Sequence, residues 1–363
     1  MKRRPSKNGV SVEKKNALIV DGNSLLKFGF HGAKDEYNYF GEHIGGLYQF
    51  LTILRKLLDS HIYHNVFVFW DGPLSGKMRY DIYKDYKGNR DKNFETGTFS
   101  QDADLVRQKK LVWNYLEQFC IRQLEDYVIE SDDYIGYFCK TKSEEYNITI
   151  CTIDRDMAQL INDSVRIYFC DLRTMVTLDN YNEFFHHHQS NALLIKILAG
   201  DNGDNINGVK GVKEPLLLKY FPVLAERETS LEEIINIAKS INEERINNKK
   251  KPIQALENIV EGITEGSQGK HLYEINRVIM DLKKPLLTNS GILKFEDVTT
   301  LPIDPEGRSI KNIFNKIREN GLDGLINERQ FVNYMLPFKR IMNKEKENYY
   351  RYNGDDNFQI IEE

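Results

Sequence analysis

Acidic residues follow several short apolar runs in this 363-residue chain. Asp21 follows ALIV, Asp71 follows VFVFW, Glu130 follows YVI, and Asp154 follows ITICTI. Five more acids follow, at Asp132, Asp133, Asp156, Asp201 and Asp204. Carboxylate oxygens are the ligands that Mg²⁺ and Mn²⁺ take in proteins, and a pair of such ions can activate a water and stabilise the leaving oxygen of a phosphate ester. The residue types therefore indicate metal-dependent phosphodiester hydrolysis.

These acids need a fold that brings distant segments together. The apolar runs are rich in β-branched and aromatic residues and alternate with longer amphipathic stretches, which is typical of a mostly parallel sheet covered by helices on both faces. The predicted strands are Ala17–Val20, Val66–Trp70, Tyr127–Ile129, Ile148–Ile153 and Val165–Phe169. Since the carboxyl ends of parallel strands meet at one edge of the sheet, the four acids that follow strands should share one crevice. Asp201 and Asp204, three residues apart, should lie on one side of a helical turn.

Each acid taken alone has a simpler explanation, because an Asp after a strand often caps a helix or closes a turn. For Asp133, capping the next helix would explain the residue equally well. All nine together are harder to explain in this way, since so many carboxylates would repel one another and raise their pKa values. Two Mg²⁺ ions, for which Mn²⁺ could substitute, would relieve that repulsion and bring the formal net charge of −4 to about zero.

Basic residues are grouped along the chain despite the acidic net charge. Residues 1–15 carry six Lys or Arg side chains, and residues 74–92 carry six more. Within the second group, RYDIYKDYKGNR (79–90) places aromatic rings for base stacking beside cations for phosphate, namely Arg79, Tyr83, Lys84 and Tyr86. Lys87 and Arg90 would face the scissile phosphate together if this segment were helical. A solvated charged face with half-buried tyrosines is the alternative interpretation.

Six motifs occur in order within about residues 17–220. They are IVDGNSL (19–25), FWDGP (69–73), YKDYKGNR (83–90), ESDD (130–133), TIDRDMAQL (152–160) and ILAGDNGDNINGVKGV (197–212). In these motifs the chain resembles the flap-endonuclease-like 5′ nucleases, most closely the phage 5′–3′ exonuclease and phage ribonuclease H. The resemblance implies a PIN-like α/β fold with a mostly parallel central sheet, a helical arch, a helix–three-turn–helix element and a C-terminal helical lobe.

The resemblance also implies a function. The family has 5′–3′ exonuclease and flap endonuclease activity, with ribonuclease H activity on RNA–DNA hybrids, and removes RNA primers and flaps during DNA replication. By matching position, one Mg²⁺ would be surrounded by Asp21, Asp71, Glu130 and Asp132, and a second by Asp154, Asp156 and Asp201, with Asp133 and Asp204 assisting. Lys87 and Arg90 match the catalytic basic pair of the family's arch.

The segment Asn205–Leu218 resembles the helix–three-turn–helix element. There, Lys210, Lys213 and backbone amides would hold duplex phosphate, and turn carbonyls would hold a K⁺ ion. The chain departs from the family after GVKGV, where the family usually has a glycine followed by a basic residue and this chain has Lys213, Glu214 and Pro215. Glu214 repels phosphate and Pro215 lacks an amide donor, which puts both K⁺ binding and the duplex contact in doubt.

By this resemblance the chain divides into five parts. They are a flexible basic arm (1–16), a nuclease core (17–190) with its arch (about 74–105), a helix–three-turn–helix region (191–240), a C-terminal helical lobe (241–347) and an irregular tail (348–363).

The expected partners are DNA with 5′ flaps or ends, RNA–DNA hybrids, and a single-strand-binding protein or clamp, and the chain should act as a monomer. No apolar run is long enough to span a membrane, and four cysteines without C-x-x-C spacing favour the cytoplasm, of a host cell if the source is viral.

Two other functions stay open at this point. A PIN-type ribonuclease on single-stranded RNA would not need the Tyr/Lys segment or the GVKGV element, and a non-catalytic DNA-junction-binding protein would usually have lost some of the nine acids. Two aromatic positions, Phe28 and Phe30, fit either base stacking near the cut or burial in the core. The run His186–His188 is a poor metal site, because three consecutive side chains cannot all face one ion on regular structure.

Overall fold

The computed structural model describes residues 13–90, 92–99, 102–264, 271–323 and 328–354. Residues 1–12 of the predicted basic arm and 355–363 of the predicted tail lie outside this part. The strands are β1 (Lys15–Asp21), β2 (Asn65–Asp71), β3 (Lys92–Asn93), β4 (Thr98–Phe99), β5 (Arg122–Asp126), β6 (Tyr146–Thr152), β7 (Val165–Phe169), β8 (Thr174–Val176), β9 (Gly200–Asp201) and β10 (Ile206–Asn207). Six of them form a central sheet in the order β5-β2-β1-β6-β7-β8, and all neighbours run parallel except β7 and β8. The mostly parallel sheet predicted from the sequence is confirmed.

Helices make up most of the remaining described residues. They are α1 (Gly22–Gly32), α2 (Gly45–Ser60), α3 (Lys77–Ile82), α4 (Ala103–Gln118), α5 (Ser131–Lys142), α6 (Ala192–Ala199), α7 (Glu214–Tyr220), α8 (Val223–Glu226), α9 (Leu231–Asn247), α10 (Gln254–Glu261), α11 (His271–Met280), α12 (Asn289–Thr300), α13 (Ile310–Glu319) and α14 (Glu328–Tyr352). Short 3-10 helices span Arg155–Leu160, Tyr181–Glu183 and Gln189–Asn191. No helix in the described residues is long and apolar enough to cross a bilayer.

The sheet is buried on both faces, as its continuous apolar strands require. Successive side chains of β1 point to opposite faces, so Leu18 and Val20 join the core under α1, α2 and α4, whereas Ala17 and Ile19 join the core under α5. A third core, separate from the sheet, is formed by helices α6 to α11. The four cysteines are buried free thiols.

The C-terminal helices pack in three places and do not form one separate lobe. Helices α9 to α11 belong to the third core, α12 packs on one face of the sheet through Phe295, and α13 and α14 pack on the opposite face. The predicted irregular tail is wrong at its start, because α14 continues through Asn348 to Tyr352. The helix is held on the sheet by apolar side chains such as Phe338, which stacks on Phe119.

Three local predictions differ from the structure. The third predicted strand, Tyr127–Ile129, is wrong: β5 ends at Asp126, whose side chain accepts hydrogen bonds from the backbone N–H groups of Val128 (3.0 Å) and Ile129 (3.3 Å) and so closes a turn. Asp201 and Asp204 lie on the β9–β10 hairpin and not on a helical turn. In the predicted arch, the described residues form α3, then turns through Lys87 (φ 53°), then the β3–β4 hairpin, so only its base is helical.

Candidate active site

Asp21 lies at the junction of β1 and α1. Its side chain caps the helix by accepting a hydrogen bond from the backbone N–H of Ser24 (3.2 Å), and the hydroxyl of Thr152 on β6 donates to it (3.0 Å). Gly22 is required next, because a Cβ there would lie 2.5 Å from the ring of Trp70. The carboxylate is therefore held at the carboxyl edge of two neighbouring strands.

Asp71 and Asp154 end the two strands that flank β1. The backbone N–H of Ser131, at the start of α5, donates to Asp71 Oδ1 (2.9 Å) and draws α5 against the end of β2. Asp154 caps the 3-10 helix that follows β6 by accepting from the backbone N–H of Asp156 (2.8 Å). The edge of the sheet predicted to gather the acids does gather them.

Four of the carboxylates form a group that we call the acid centre: Asp21, Asp71, Asp132 and Asp154. Burial, together with the negative charges of Asp71 and Asp154, raises the pKa of Asp21 to about 7. Burial also raises the pKa of Asp132 well above its usual range, helped first by Asp154 and then by Asp21. No described Lys or Arg forms an ion pair with any member of the group. The acid centre is thus a concentration of negative charge with which no described lysine or arginine pairs directly, although Lys87 is near enough to interact with the charge of Asp71.

The carboxylates are not arranged around a common point. Within the described ranges, no three Asp, Glu, His or Cys side chains come close enough to enclose a metal ion. Mutual repulsion favours such separation when nothing positive lies between the acids. The structure therefore shows that the acids converge on one edge but does not show a formed metal shell.

Glu130 and Asp133 are bound by one arginine. Arg79, on α3, donates to Glu130 (2.6 Å) and makes two hydrogen bonds to Asp133 (2.5 and 2.9 Å), and its Nε donates to the carbonyl of Ile279 (2.8 Å). All three side chains of this ion-pair cluster are at most 6% exposed. The prediction that Arg79 contacts DNA is wrong for this conformation, because its guanidinium is turned inward and each of its three nitrogens donates to a protein oxygen.

Lys87 and Arg90 also contact acids. The Lys87 ammonium pairs with Glu130 and lies 4.0 Å from Asp204 Oδ2, and Arg90 donates to Asp204 Oδ1 (2.5 Å). Burial acts to raise the pKa of Glu130, but Lys87 and Arg79 outweigh it and lower the pKa to about 2. The two basic residues thus face the site as predicted, although turns and not a helix carry them.

Tyr86 is buried and not available for base stacking. Its hydroxyl donates to Glu130 Oε2 (3.0 Å) and lies 3.3 Å from Asp204 Oδ2, and only 2% of the residue is exposed. The prediction that Tyr86 contacts DNA is therefore wrong for this conformation. Tyr83 is half-buried with its hydroxyl accepting from Asn207 (3.1 Å), whereas Lys84 is exposed above the ring of Tyr80.

Lys196 is a site residue that the sequence analysis missed. It lies on α6 and pairs with Asp156 and with Asp201 (2.7 Å). Burial lowers the pKa of Lys196, but the two carboxylates outweigh that effect and raise it above its usual value. Lys196 lies five residues before Asp201, near the end of a helix that leads into the β9–β10 hairpin. This spacing could have indicated the residue from the sequence.

The remaining residues predicted from the sequence make no ion pair with the acid centre in the part of the chain that the structure describes. Lys210 and Lys213 are exposed beside the hairpin, and Lys213 Nζ lies 3.3 Å from the carbonyl of Ala199. His187 of the His186–His188 run is buried against Tyr181 and Phe185, and His188 caps a 3-10 helix, so the run does not converge on an ion. Phe28 packs on the core, and Phe30 contacts the rings of His31 and His43.

Comparison with known proteins gives a consistent set of relatives. A family model described as the 5′–3′ exonuclease, N-terminal resolvase-like domain, matches residues 16–189. The 5′–3′ exonuclease of Buchnera aphidicola subsp. Baizongia pistaciae is 30% identical over 225 residues, which cover 60% of this chain and 71% of that protein. The DNA polymerase I of Bacillus subtilis is 28% identical over 235 residues, which cover 62% of this chain but only 25% of that longer protein.

Solved structures with the same fold come from bacteriophage T5. The T5 5′-exonuclease with bound zinc has a TM-score of 0.56 at 17% identity, and the match covers 85% of this chain and 99% of that one. The T5 flap endonuclease in complex with DNA and metal ions has a TM-score of 0.53 at 17% identity, over 85% and 100% of the two chains. The predicted PIN-like fold is thereby confirmed. The sequence matches show that the chain belongs to the 5′–3′ exonuclease family.

Proposed function

We propose that this chain is a structure-specific 5′ nuclease that hydrolyses phosphodiester bonds in DNA with 5′ ends or flaps. The observation that carries the proposal is the acid centre. Three of its carboxylates, Asp21, Asp71 and Asp154, end or follow neighbouring parallel strands, and Asp132 lies in the first turn of α5. None of the four has an ion-pair partner among the described residues. Asp21 is buried and the other three are half-buried, and so much negative charge held partly out of water destabilises a protein unless a ligand compensates for it.

The donor set fits hard divalent cations. Mg²⁺ and Mn²⁺ prefer oxygen ligands such as carboxylates. Burial and then repulsion by the neighbouring acids raise the pKa values of Asp21 and Asp132, and a bound cation would reverse that effect. We propose that Asp21, Asp71 and Asp132, with Glu130, hold one Mg²⁺, and that Asp154, Asp156 and Asp201 hold a second, with Asp133 and Asp204 in supporting positions. When bound, two such ions supply an activated water and stabilise the leaving oxygen.

The protein's own cations would orient the substrate. Lys87 and Arg90 lie at the acid-rich edge and are held by Glu130 and Asp204. With DNA bound, they would exchange these carboxylates for oxygens of the scissile phosphate and offset the charge that grows in the transition state. Lys196 would hold Asp156 and Asp201 in place and favour their ionised forms, because its ammonium contacts both. Burial and the charge of Asp154 nevertheless raise the pKa of Asp156 to about 6.

Contacts farther from the cut would be to duplex phosphate. Lys210 and Lys213 are exposed on the turns after the β9–β10 hairpin, and Lys84 is exposed on the basic segment. The proposed K⁺ site lies in the same turns, where Glu214 at the start of α7 would weaken any anion contact. The relative solved with DNA and metal ions, the T5 flap endonuclease, supports DNA as the substrate.

The finer activities are part of the same proposal. We propose that the site accepts the 5′ end of a DNA strand or of an RNA strand. The chain would then have ribonuclease H activity on RNA–DNA hybrids and would remove primers and flaps during replication. A monomer in the cytoplasm, assisted by a single-strand-binding protein or clamp, is the setting we propose for this activity. Four buried free thiols suit a reducing compartment.

One substrate panel tests the function against its alternatives. The purified chain is incubated with a 5′-labelled DNA flap, a nicked RNA–DNA hybrid and single-stranded RNA, each with Mg²⁺ or with EDTA. We expect Mg²⁺-dependent short products from the first two. Cleavage of single-stranded RNA alone would identify a PIN-type ribonuclease, and tight flap binding without any product would identify a junction-binding protein.

A further inference from the structure

The basic segment (79–90) and the β9–β10 hairpin (200–207) are joined by hydrogen bonds that do not involve the carboxylates. The backbone N–H of Lys87 donates to the carbonyl of Asp204 (2.8 Å). The side-chain amide of Asn205 donates to the carbonyl of Asp85 (2.7 Å), and the amide of Asn89 lies 3.3 Å from the carbonyl of Asn202. Segments more than a hundred residues apart in the chain are thus fixed to each other at the rim of the site.

Asn205 has the backbone conformation that this junction needs. Its φ is 56°, in the left-handed region, which Asn adopts more readily than most residues. This places its side chain against the turn that contains Lys87, which is itself left-handed (φ 53°). Gly88, the next residue, also lies close to Asn205: a Cβ at Gly88 would be 3.4 Å from the Asn205 amide nitrogen.

The junction determines where the Lys87 side chain points. With its main chain bonded to Asp204 and the preceding turn bonded to Asn205, Lys87 directs its ammonium to Glu130, and the Asp204 Oδ2 atom lies 4.0 Å away. We propose, on the premise that the chain is a nuclease, that Asn205 is a positioning residue that fixes Lys87 for catalysis. Asn205 acts through Lys87 and itself contacts no carboxylate of the acid centre.

The test is a double-mutant cycle between Asn205→Gly and Lys87→Ala. Glycine adopts the left-handed conformation without strain, so Asn205→Gly removes the side-chain amide and keeps the turn. We expect the single-turnover rate at saturating flap DNA to fall by about 10- to 100-fold, because small misplacements of catalytic groups have effects of that size. The dissociation constant for DNA should change by less than about 3-fold. In the Lys87→Ala background, Asn205→Gly should have almost no further effect.

A second readout does not depend on activity. In metal-free protein, the Lys87 N–H is bonded to the Asp204 carbonyl and should exchange slowly with solvent. Asn205→Gly should speed that exchange by roughly 10-fold and leave the amides of β1 unchanged, which separates local loosening from global unfolding. Lys249→Gly is a matched control, since Lys249 is also left-handed (φ 56°) but lies at the far end of α9.

The outcomes separate this inference from the proposed function. Asn205 does not act through Lys87 if the Asn205→Gly variant cleaves at the wild-type rate. The same conclusion holds if the rate of the double variant falls by the product of the two single-variant losses. In both cases the chain remains a nuclease. If wild-type protein shows no cleavage, the nuclease proposal fails. Unchanged exchange of the Lys87 amide in Asn205→Gly would overturn the positioning role independently of any cleavage.

Discussion

At the residue scale, the nine acids fall into two groups with different partners. The acid centre has no ion pair with a described residue, whereas the other five acids each contact a lysine or an arginine. Asp133 is bonded twice to Arg79 and once to the backbone N–H of Leu286 (2.8 Å). We therefore infer that Asp133 mainly holds Arg79 and the Leu286 segment in place, and it does not cap α5, whose N-cap residue is Glu130.

Lys87→Ala should lower the chemical rate much more than the affinity for DNA. Without DNA, Lys87 is paired with Glu130, so its exchange onto phosphate adds little to ground-state binding. Its effect is expected in the transition state, and we predict a loss of about 100-fold in the single-turnover rate with less than about 3-fold change in dissociation constant.

The control for this variant is Lys239→Ala, which removes the same charge from an exposed position on α9. Its rate should match that of the wild type. An increase in dissociation constant for Lys87→Ala that equals its loss in rate would make Lys87 a DNA tether and not a catalytic group.

At the element scale, a close approach of two backbone segments fixes the end of β2, the strand that carries Asp71. Gly72 directly follows Asp71, and a Cβ there would lie 1.9 Å from the carbonyl oxygen of Asp126 at the end of β5. The turn after β2 therefore has no room for a side chain. The carbonyl group of Asp126 cannot move away from Gly72 without shifting the end of β5 at the edge of the sheet.

Gly72→Ala should destabilise the fold and displace Asp71. Forcing atoms into a packed site costs about 1–3 kcal/mol, and we expect a decrease of that size in the free energy of unfolding by urea. Gly32→Ala, at the end of α1, is the matched control, because no atom lies within 4 Å of its added Cβ. Equal stability of the two variants would contradict the proposed constraint.

At the scale of the whole molecule, the C-terminal helix is part of the nuclease core. Arg122, at the start of β5, forms a buried ion pair with Glu345 of α14 (2.8 Å), and it also donates to the carbonyls of Val298 and Leu301. This pair lies at the amino end of its strand, opposite the acid centre. It connects the sheet to helices that follow it by more than 170 residues.

Arg122→Met should destabilise the whole chain. Removing one partner of a buried ion pair leaves the other charge uncompensated, which costs about 3–5 kcal/mol. We expect that decrease in the free energy of unfolding, measured with urea. The double variant Arg122→Met with Glu345→Leu should recover most of it, since an apolar pair replaces the stranded carboxylate. A single variant as stable as the wild type would show that α14 is held without this pair.

The sequence predicted the sheet where its strands are continuous apolar runs. Strand β5 was missed because its residues alternate between buried and half-exposed and include Arg122 and Asp126. The location of the C-terminal helices was missed for another reason. An amphipathic pattern shows that a helix is buried on one side but not which surface covers it.

The convergence of the acids could also be predicted, since it follows from the polarity of parallel strands. Their division into paired and unpaired groups could not. Glu130 is paired with Lys87 and Asp204 with Arg90 across separations of 43 and 114 residues, which only the packing of turns determines. The same packing buries Tyr86, whose sequence neighbours suggested an exposed aromatic ring.

The most direct measurement of the central claim compares wild type with Asp71→Asn on a 5′-labelled DNA flap. Asp163→Asn serves as the control, because Asp163 is exposed at the opposite edge of the sheet, before β7. With Mg²⁺ we expect wild type and the control to cleave at equal rates, and Asp71→Asn to be slower by about 1,000-fold or more with an unchanged circular dichroism spectrum. Wild-type cleavage by Asp71→Asn, or cleavage by any of the three proteins in EDTA, would contradict the account of a carboxylate-bound divalent metal site.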